Sequence, residues 1–145
     1  YGNFYNWAVV DDSRGVCPEG WHVPTDDEWK ELEMTLGMSQ SEVDDEGWRG
    51  TNEGSKLAGN AELWNDGSLV SNEEFGTSGF NGLPSGCRYS FNGYYENIAY
   101  DGYFWSSTEF NDYNTWYRIL PYNNSGVTRI YYSKQFGFSV RCLRD

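Results

Sequence analysis

The sequence Cys17-Pro18-Glu19-Gly20-Trp21-His22-Val23-Pro24-Thr25-Asp26-Asp27-Glu28-Trp29 marks the point where an extended segment turns into a helix. Thr25 and Glu28 have the spacing of a capping box, in which each side chain accepts a hydrogen bond from the backbone N–H of the other residue. Asp26 and Asp27 place negative charge in the first turn, where the helix dipole favours it. A helix is therefore predicted to begin directly after Thr25.

An apolar stripe and a stop signal complete this helix. Trp29, Leu32 and Leu36 recur at the spacing of one helix face. Gly37 suits the left-handed conformation in which many helices end. We therefore predict a helix over residues 26–36.

The rest of the chain divides into long loops and short strands. Ser39 and Glu42 repeat the capping pattern and predict a second short helix over residues 39–45. Residues 47–82 are rich in Gly, Asn, Glu and Ser, which predicts a long ordered loop with a helical turn around Lys56. Strands are predicted at 1–10, 86–90, 103–107, 115–120, 127–132 and 138–143. Helices in the N-terminal half and short antiparallel strands in the C-terminal half indicate an α+β domain.

The composition indicates a single domain and argues against two kinds of partner. A chain of 145 residues is long enough to bury one core, so we predict one domain over residues 1–145. The formal net charge of −12 disfavours nucleic acid and anionic membrane surfaces, because both attract basic proteins. No apolar run approaches the roughly 20 residues of a transmembrane helix, so no direct membrane insertion is expected.

Three cysteines and a single histidine do not form a zinc pattern. A disulfide between Cys17 and Cys142 would tie the two ends of the chain, and the loop that it closes would be worth about 4–5 kcal/mol. The alternative is that all three cysteines are reduced and buried. With the disulfide formed, Cys87 is expected to be a buried thiol that behaves as a small hydrophobe. The acidic composition, rich in Tyr, Asn and Gly, favours an extracellular setting.

Residues 94–136 have the composition of a recognition surface. They contain nine of the twelve Tyr, five further Trp and Phe residues, and interleaved Asn and Ser. Tyr and Trp give a large contact area at low rotamer cost, and Asn and Ser give adaptable hydrogen bonds. One face of each strand must fill the core, but these aromatics exceed what that face can bury. Exposed aromatic clusters mark binding sites, so a ligand-binding face is expected here.

Motifs along nearly the whole chain resemble the Fibrobacter succinogenes major paralogous domain. They are Cys17-Pro18-Glu19-Gly20-Trp21-His22-Val23-Pro24-Thr25 with Glu28-Trp29, Leu83-Pro84, Gly102-Tyr103-Phe104-Trp105-Ser106-Ser107-Thr108-Glu109, Trp116-Tyr117-Arg118, and Lys134-Gln135-Phe136-Gly137-Phe138-Ser139-Val140-Arg141-Cys142-Leu143. The resemblance implies a C-type lectin-like fold, distantly related to the formylglycine-generating enzymes that modify sulfatases. In this fold, residues 1–10 and 138–143 are expected to pair and to bring Cys17 near Cys142. The expected core comprises Trp21, Trp29, Leu32, Trp105, Trp116, Phe138 and Val140.

The chain also resembles the variable proteins of diversity-generating retroelements, which use domains of this kind. In those systems an error-prone reverse transcriptase mutates adenines in a C-terminal repeat, so that AAC codons for Asn become NNC. At the expected variable places, every residue type here can be encoded by NNC. These residues are Phe110, Asp112, Tyr113, Asn114, Thr115, Ile119, Pro121, Gly126, Thr128, Ile130, Tyr131, Tyr132, Ser133 and Phe136. The resemblance implies a non-enzymatic module that presents a diversified face to a macromolecule, with protein as the first candidate ligand and carbohydrate as the second.

Strand alternation helps to define the predicted ligand-binding residues. If Trp116 and Arg118 face the core, Tyr117 and Ile119 face the other way. Diversified positions are tolerated only where packing does not constrain them, so we expect them to cluster on one exposed face. The predicted set is Phe104, Phe110, Asp112, Tyr113, Asn114, Ile119, Pro121, Thr128, Ile130, Tyr131, Tyr132, Ser133 and Phe136.

Three tyrosines of this set are expected to contribute most to binding. Truncation of Tyr113, Tyr131 or Tyr132 is expected to weaken binding and to leave thermal stability nearly unchanged. The ligand is expected to be a protein or carbohydrate on another cell or particle. The chain itself is then expected to be extracellular, on a cell surface or on a phage particle, without a cofactor.

Two other chemistries have weaker support in the sequence. A degenerate oxidase would use Cys87, but the formylglycine-generating enzymes use a pair of cysteines with a metal, and the neighbours of Cys87 offer no base. Trp64-Asn65-Asp66 has the letters of the calcium motif of C-type lectins. It lies in the wrong part of the chain, and two side chains cannot supply the roughly six to eight oxygens that calcium needs. His22 is expected to be structural, so no catalytic residue and no metal site are predicted.

Overall fold

The computed structural model describes residues 1–145 and contains short helices and three antiparallel sheets. The helices are α1 (Trp7–Val10), α2 (Asp26–Thr35), α3 (Gln40–Asp44), α4 (Glu53–Leu57) and α5 (Ser68–Ser71), with a 3-10 helix at Ala61–Leu63. The strands are β1 (Trp21–His22), β2 (Gly47–Arg49), β3 (Cys87–Arg88), β4 (Tyr95–Glu96), β5 (Asp101–Glu109), β6 (Asn114–Pro121), β7 (Val127–Ser133) and β8 (Leu143–Arg144). Helices and antiparallel sheets occur together, as the predicted α+β class requires. No helix is both long enough and apolar enough to cross a membrane.

The two predicted capping boxes are confirmed. Thr25 Oγ1 accepts from the Glu28 N–H at 3.2 Å, and Glu28 Oε2 accepts from the Thr25 N–H at 2.8 Å. Ser39 and Glu42 make the same reciprocal pair at the start of α3. Helix α2 ends at Thr35, one residue before the predicted end. The local signals therefore place both helix starts correctly.

A four-stranded antiparallel sheet in the order β2-β7-β6-β5 lies at the centre of the fold. Its register places Tyr117 between Trp105 of β5 and Ile130 of β7, and it places Trp48 beside Thr128. Because successive side chains of a strand point to opposite faces, this register defines two surfaces. The core face carries Arg49, Phe104, Trp116, Arg118, Leu120, Val127, Arg129 and Tyr131. The groove face carries Trp48, Asp101, Tyr103, Trp105, Tyr117, Ile119, Pro121, Thr128, Ile130 and Tyr132.

The core face packs against the helices and the long loop. Trp29 of α2, Leu57 of α4 and Leu69 of α5 are buried against Phe104 and Leu120 of the sheet. Full burial of each such side chain contributes about 1.5–3 kcal/mol. Residues 47–82 supply much of this layer through β2, α4, the 3-10 helix and α5. The helical turn predicted around Lys56 is confirmed as α4.

Five charged side chains, which we call the arginine–carboxylate network, lie within the same layer. Arg118 Nε donates to Glu33 Oε1 at 2.6 Å, and Arg118 Nη1 donates to Asp26 Oδ1 at 2.7 Å. Arg49 donates to both Glu33 oxygens, at 2.8 and 3.0 Å, and Arg129 Nη2 donates to Asp26 Oδ2 at 2.7 Å. Burial alone raises the pKa of Asp26, but the hydrogen bond from Arg129 and the charge of Arg118 lower it overall. The network therefore ties α2 to β2, β6 and β7.

The two ends of the chain meet beside the groove face. Tyr5 pairs with Phe138 in an antiparallel bridge, and β1 pairs with β8. Cys17 and Cys142 form a disulfide, with their Cα atoms 5.8 Å apart. The predicted pairing of the terminal segments and the predicted proximity of Cys17 and Cys142 are confirmed, and of the two redox states considered the structure has the disulfide. Cys87 is a buried free thiol, as predicted.

The terminal segments are less regular than predicted. Residues 1–10 form one bridge and then helix α1 instead of a strand, because the chain turns to bury Trp7, whose indole donates to Ser106 O at 3.0 Å. Residues 138–143 contain isolated bridge residues before β8 instead of one strand. Irregular pairing suffices here because the disulfide already holds the two ends together.

The predicted core is confirmed for four of its seven side chains, which are Trp29, Trp105, Trp116 and Phe138. Trp21 is 45% exposed, because the short β1–β8 ribbon lies at the surface. Leu32 and Val140 are only partly buried, at the margins of the two core clusters. The prediction was therefore wrong for Trp21 and too strong for the other two.

Candidate ligand-binding face

The groove face of the sheet is only partly covered. Trp7 of α1 and Phe136 and Phe138 of the C-terminal segment pack on one part of it, around Trp105. Two cavities lie side by side on the remainder, and Ile119 lines both of them. Adjacent concave sites on one face are the usual setting for ligand binding.

The first, which we call the apolar cavity, has a volume of about 200 Å³. Its walls are Cys87, Tyr89, Tyr103, Tyr117, Ile119, Tyr132, Phe136 and Phe138. A line of touching rings forms its rim, with centroids 5.5 Å apart for Phe91 and Tyr89, 5.1 Å for Tyr89 and Phe136, and 5.0 Å for Phe136 and Tyr132. Phe91 is 78% exposed and Tyr132 is 53% exposed, so this aromatic rim is open to a partner.

The second, which we call the polar cavity, has a volume of about 340 Å³. Its walls are Trp48, Asn97, Tyr100, Asp101, Ile119, Pro121, Tyr122, Asn123 and Thr128. Asn97 Nδ2 donates to Tyr103 Oη at 2.8 Å, and Tyr103 Oη donates to Asp101 Oδ2 at 3.0 Å. Asn97 and Ala99 adopt φ values of 61° and 69°, a left-handed conformation that is uncommon outside glycine. Such local strain often accompanies a functional site.

Burial shifts the pKa values of Asp101 and Cys87, which line the two cavities. Burial raises the pKa of Asp101, and the hydrogen bond from Tyr103 offsets part of this effect. Burial, followed by the charges of Glu96 and Asp101, raises the pKa of Cys87 to about 11. The Cys87 thiol therefore stays protonated at neutral pH, and a protonated thiol is a poor nucleophile.

The β5–β6 hairpin ends in a second exposed feature, which we call the hairpin tip. Asn111 Oδ1 shapes the turn by accepting from the backbone N–H groups of Tyr113 and Asn114, each at 2.9 Å. Lys134 Nζ stabilises the end of the hairpin by donating to Glu109 Oε1 at 2.6 Å. Tyr113 is 79% exposed at its end. The hairpin tip therefore presents an aromatic side chain on a well-bonded turn.

The predicted ligand-binding residues do not lie on one exposed face. One group lies on the groove face or lines its cavities, and it comprises Ile119, Pro121, Thr128, Ile130, Tyr132 and Phe136. A second group lies at the hairpin tip and the adjoining strand ends, and it comprises Phe110, Asp112, Tyr113, Asn114 and Ser133. Phe104 and Tyr131 belong to the core face. The structure therefore brings the first group together and separates it from Phe104 and Tyr131.

The expectation of exposure was wrong for four members of the predicted set. Phe104 is 3% exposed, because it packs against Trp29 in the main core. Thr128 is 4% exposed, Phe136 is 9% exposed, and Pro121 is also buried. These three are walls of the cavities, where a concave surface hides most of each side chain.

Tyr131 and Tyr132 were expected to act together, but the strand separates them. Tyr132 points to the groove face, whereas Tyr131 stacks on Phe110 with ring centroids 3.6 Å apart and meets the edge of Trp116 at 5.2 Å. Neighbours on one strand point to opposite faces, so both cannot contact a single ligand surface. Tyr131 is consequently a packing residue, and its expected neutrality for stability is not supported by these contacts.

Sequence reasoning missed several residues of the two cavities. Trp48 lies in the interval predicted as a long loop, yet it belongs to β2 and is 66% exposed on the groove face. Tyr89 and Phe91 lie just before the interval singled out by composition. Two signals could have found them. Trp48 follows an acidic run and Gly47, and the Tyr and Asn mixture of residues 94–136 already begins at Tyr89.

Comparison with known proteins agrees with the motifs found along the chain. The family model of the Fibrobacter succinogenes major domain matches residues 1–144. No curated protein and no solved structure matches the chain. The matched span contains the capping boxes, the central sheet, both cavities and the disulfide. This chain therefore belongs to the Fibrobacter succinogenes major domain family.

Proposed function

We propose that this chain is a non-enzymatic binding module whose groove face and hairpin tip contact a protein ligand. The observation that carries the proposal is the aromatic rim of Phe91, Tyr89, Phe136 and Tyr132 beside two adjoining cavities. Interface centres are enriched in Tyr, Trp and Phe, and large exposed apolar patches mark interaction sites. Carbohydrate is the second candidate, because the exposed ring of Trp48 lies beside a cavity lined by the amides Asn97 and Asn123.

We further propose that the fold is C-type lectin-like and that the protein functions outside the cell, on a cell surface or on a phage particle. The pairing of Tyr5 with Phe138 and the disulfide that joins the ends support the fold. The loop-rich layer between α3 and β5 is a further supporting feature. Disulfides persist in oxidising compartments, which supports the location.

The contacts of Cys87 support a binding role over a catalytic one. Cys87 lines the apolar cavity beside aromatic side chains, and its raised pKa of about 11 leaves little thiolate at neutral pH. No His lines that cavity to accept its proton, and no Lys or Arg lines it to stabilise a thiolate. Its packing in the apolar cluster accounts for its position.

A pair of alanine variants tests the binding proposal. Cyclic peptides selected from a display library against the wild-type protein should bind Tyr132→Ala about tenfold or more weakly, because Tyr132 is an exposed member of the aromatic rim. Tyr132→Ala should melt within a few degrees of wild type. Tyr131→Ala should lose about 2 kcal/mol of unfolding free energy, because it removes the ring that stacks on Phe110 and meets the edge of Trp116. Calorimetric binding and thermal melting measure both effects.

A matched variant makes this result interpretable. Trp21→Ala removes another exposed aromatic, which lies on the β1–β8 ribbon, and should leave peptide binding unchanged. Equal losses in Trp21→Ala and Tyr132→Ala would show that the peptides bind elsewhere. A selection that yields no binding peptide would contradict a protein ligand. Calorimetric binding of methyl glycosides in the absence of any binding peptide would contradict it as well.

The proposal that this is the variable protein of a diversity-generating retroelement has a genetic test. Sequencing of the gene and its neighbours in a population of the source cells should reveal a reverse transcriptase and a near-copy of the C-terminal coding repeat. Substitutions should occur at exposed positions such as Tyr113, Ile130 and Tyr132. They should be absent from Trp105 and Arg118, whose burial leaves no room for arbitrary side chains. Uniformly distributed substitutions, or the lack of a repeat, would rule the proposal out.

A further inference from the structure

The polar cavity contains a buried hydroxyl with no partner in the protein. Thr128 is 4% exposed, and its Oγ1 makes no hydrogen bond. Leaving a buried polar group unpaired is costly, so such groups are uncommon and call for an explanation. Thr128 is also a wall of the polar cavity. The oxygen itself is closed to the cavity in this structure, so a ligand donor would satisfy it only after a small shift of the Thr128 side chain.

The same cavity contains a carboxylate without a cationic partner. Asp101 is half-buried, and its side chain accepts one hydrogen bond, from Tyr103. By contrast, the buried acids Asp26 and Glu33 each bind two arginines. No Lys, Arg or His lines the polar cavity. Partial desolvation makes an unpaired carboxylate costly, and a positively charged ligand group would offset that cost.

Aromatic rings stand beside this carboxylate. Trp48 is 66% exposed and Tyr100 is 47% exposed, and Tyr100 meets Tyr122 edge to face at 5.1 Å. The face of an aromatic ring attracts a cation within about 6 Å of its centroid, and Trp is the strongest of the three ring types. The cavity therefore combines two features that favour positive charge, a carboxylate and several rings.

We propose that the polar cavity binds an arginine side chain of the protein ligand. A guanidinium has only donors, which suit the Asp101 carboxylate and the Thr128 hydroxyl, and its plane can stack on Trp48. The formal net charge of −12 is complementary to a basic partner surface and would speed its association. This inference rests on the proposed function and specifies the chemistry that the ligand must offer.

The hydrogen bonds already made inside the cavity favour arginine over a sugar. Sugar hydroxyls both donate and accept, so sugar sites supply both kinds of group. Here the Tyr103 hydroxyl proton is used by Asp101, and one Asn97 amide proton is used by Tyr103. The Tyr103 hydroxyl beside the carboxylate is therefore already engaged, and the second oxygen of Asp101 is left for a ligand donor such as a guanidinium.

The test titrates the intact protein with Nα-acetyl-arginine N-methylamide and follows the indole N–H resonance of Trp48 by NMR. The matched probe is the citrulline derivative, which has nearly the same shape without the charge. Arginine should shift the Trp48 resonance saturably, and citrulline should not. Asp101→Asn should weaken arginine binding about tenfold or more, because it removes the paired charge. Thr128→Val should weaken it by a smaller factor.

Control variants keep the outcome decisive. Glu31→Gln removes an exposed charge from α2, which lies on the opposite side of the sheet, and should leave binding unchanged. If Asp101→Asn fails to fold, Trp48→Ala replaces an exposed ring on an edge strand and should also weaken binding. Because this variant lacks the indole reporter, its affinity is measured by calorimetry. Equal binding of citrulline, an unaltered affinity in Asp101→Asn or Trp48→Ala, or a response to methyl glycosides but not to arginine would overturn the inference.

The two proposals fail in different ways. If selected peptides bind through Tyr132 but arginine does not bind beside Trp48, the arginine site is wrong and the binding module stands. If the arginine derivative binds but no peptide does, the site exists and the protein ligand is wrong. Enrichment of arginine in peptides that need both Tyr132 and Asp101 would support the two together.

Discussion

Replacement of Glu33 by glutamine is expected to lower the free energy of unfolding by about 3–5 kcal/mol. Glu33 is fully buried and accepts hydrogen bonds from both Arg49 and Arg118. Glutamine has nearly the same size but no charge, so the variant leaves buried guanidinium charge without compensation. Breaking a buried ion pair from one side is costly, even where the intact pair adds little net stability.

Urea denaturation followed by tryptophan fluorescence measures this effect. Glu31→Gln is the matched control, because Glu31 is an exposed acid two positions away on α2. That variant should change stability by less than about 0.5 kcal/mol. Similar values for Glu31→Gln and Glu33→Gln would mean that the arginine–carboxylate network does not contribute to stability as its geometry indicates.

The network also bears on the proposed binding site. Arg49 and Trp48 are neighbours on β2, with Arg49 held by Glu33 on the core face and Trp48 exposed on the groove face. Strand β2 is an edge strand of three residues, so few other contacts define its position. Loss of Glu33 should therefore also disturb the polar cavity, which makes the surface variants Trp48→Ala and Asp101→Asn better probes of binding.

Removal of the disulfide is expected to lower the free energy of unfolding about as much as the Glu33→Gln substitution does. Combining Cys17→Ser with Cys142→Ser should reduce the free energy of unfolding by about 4–5 kcal/mol in the chain-entropy account. The two cysteines are 125 residues apart, so the bond closes almost the whole chain into one loop. It restricts the unfolded ensemble far more than a short-range disulfide would.

The same denaturation experiment, with Cys87→Ala as control, checks this prediction. Cys87→Ala removes one buried thiol and leaves the disulfide intact, so its cost should be that of a small cavity, about 1 kcal/mol. A double serine variant as stable as wild type would contradict the prediction. It would show that the other contacts hold the ends, including His22, which bonds Asp145 at 2.6 Å and Glu28 at 2.9 Å.

The sequence could predict which side chains of one strand share a face of the sheet, because strand alternation is a local pattern. Ile119 and Tyr132 reach the groove face as the period of two requires. The interval at residues 94–136 also correctly indicated an excess of aromatics over what the sheet can bury, since Tyr94, Tyr95, Tyr100 and Tyr113 are all exposed. Alternation does not tell which face a separate segment will cover, so the burial of Phe136 was missed.

The sequence by itself determined the starts of α2 and α3, the approximate positions of β5, β6 and β7, and the family. Capping boxes act over three residues, and strand alternation acts over two, so these features need no knowledge of distant segments. Tertiary structure alone decided that Trp48 stands over a cavity, that Tyr131 packs away from Tyr132, and that Glu33 is buried among arginines. Each of these outcomes depends on which strands and loops become neighbours. Contacts between residues far apart in the chain set that arrangement, and no local pattern encodes it.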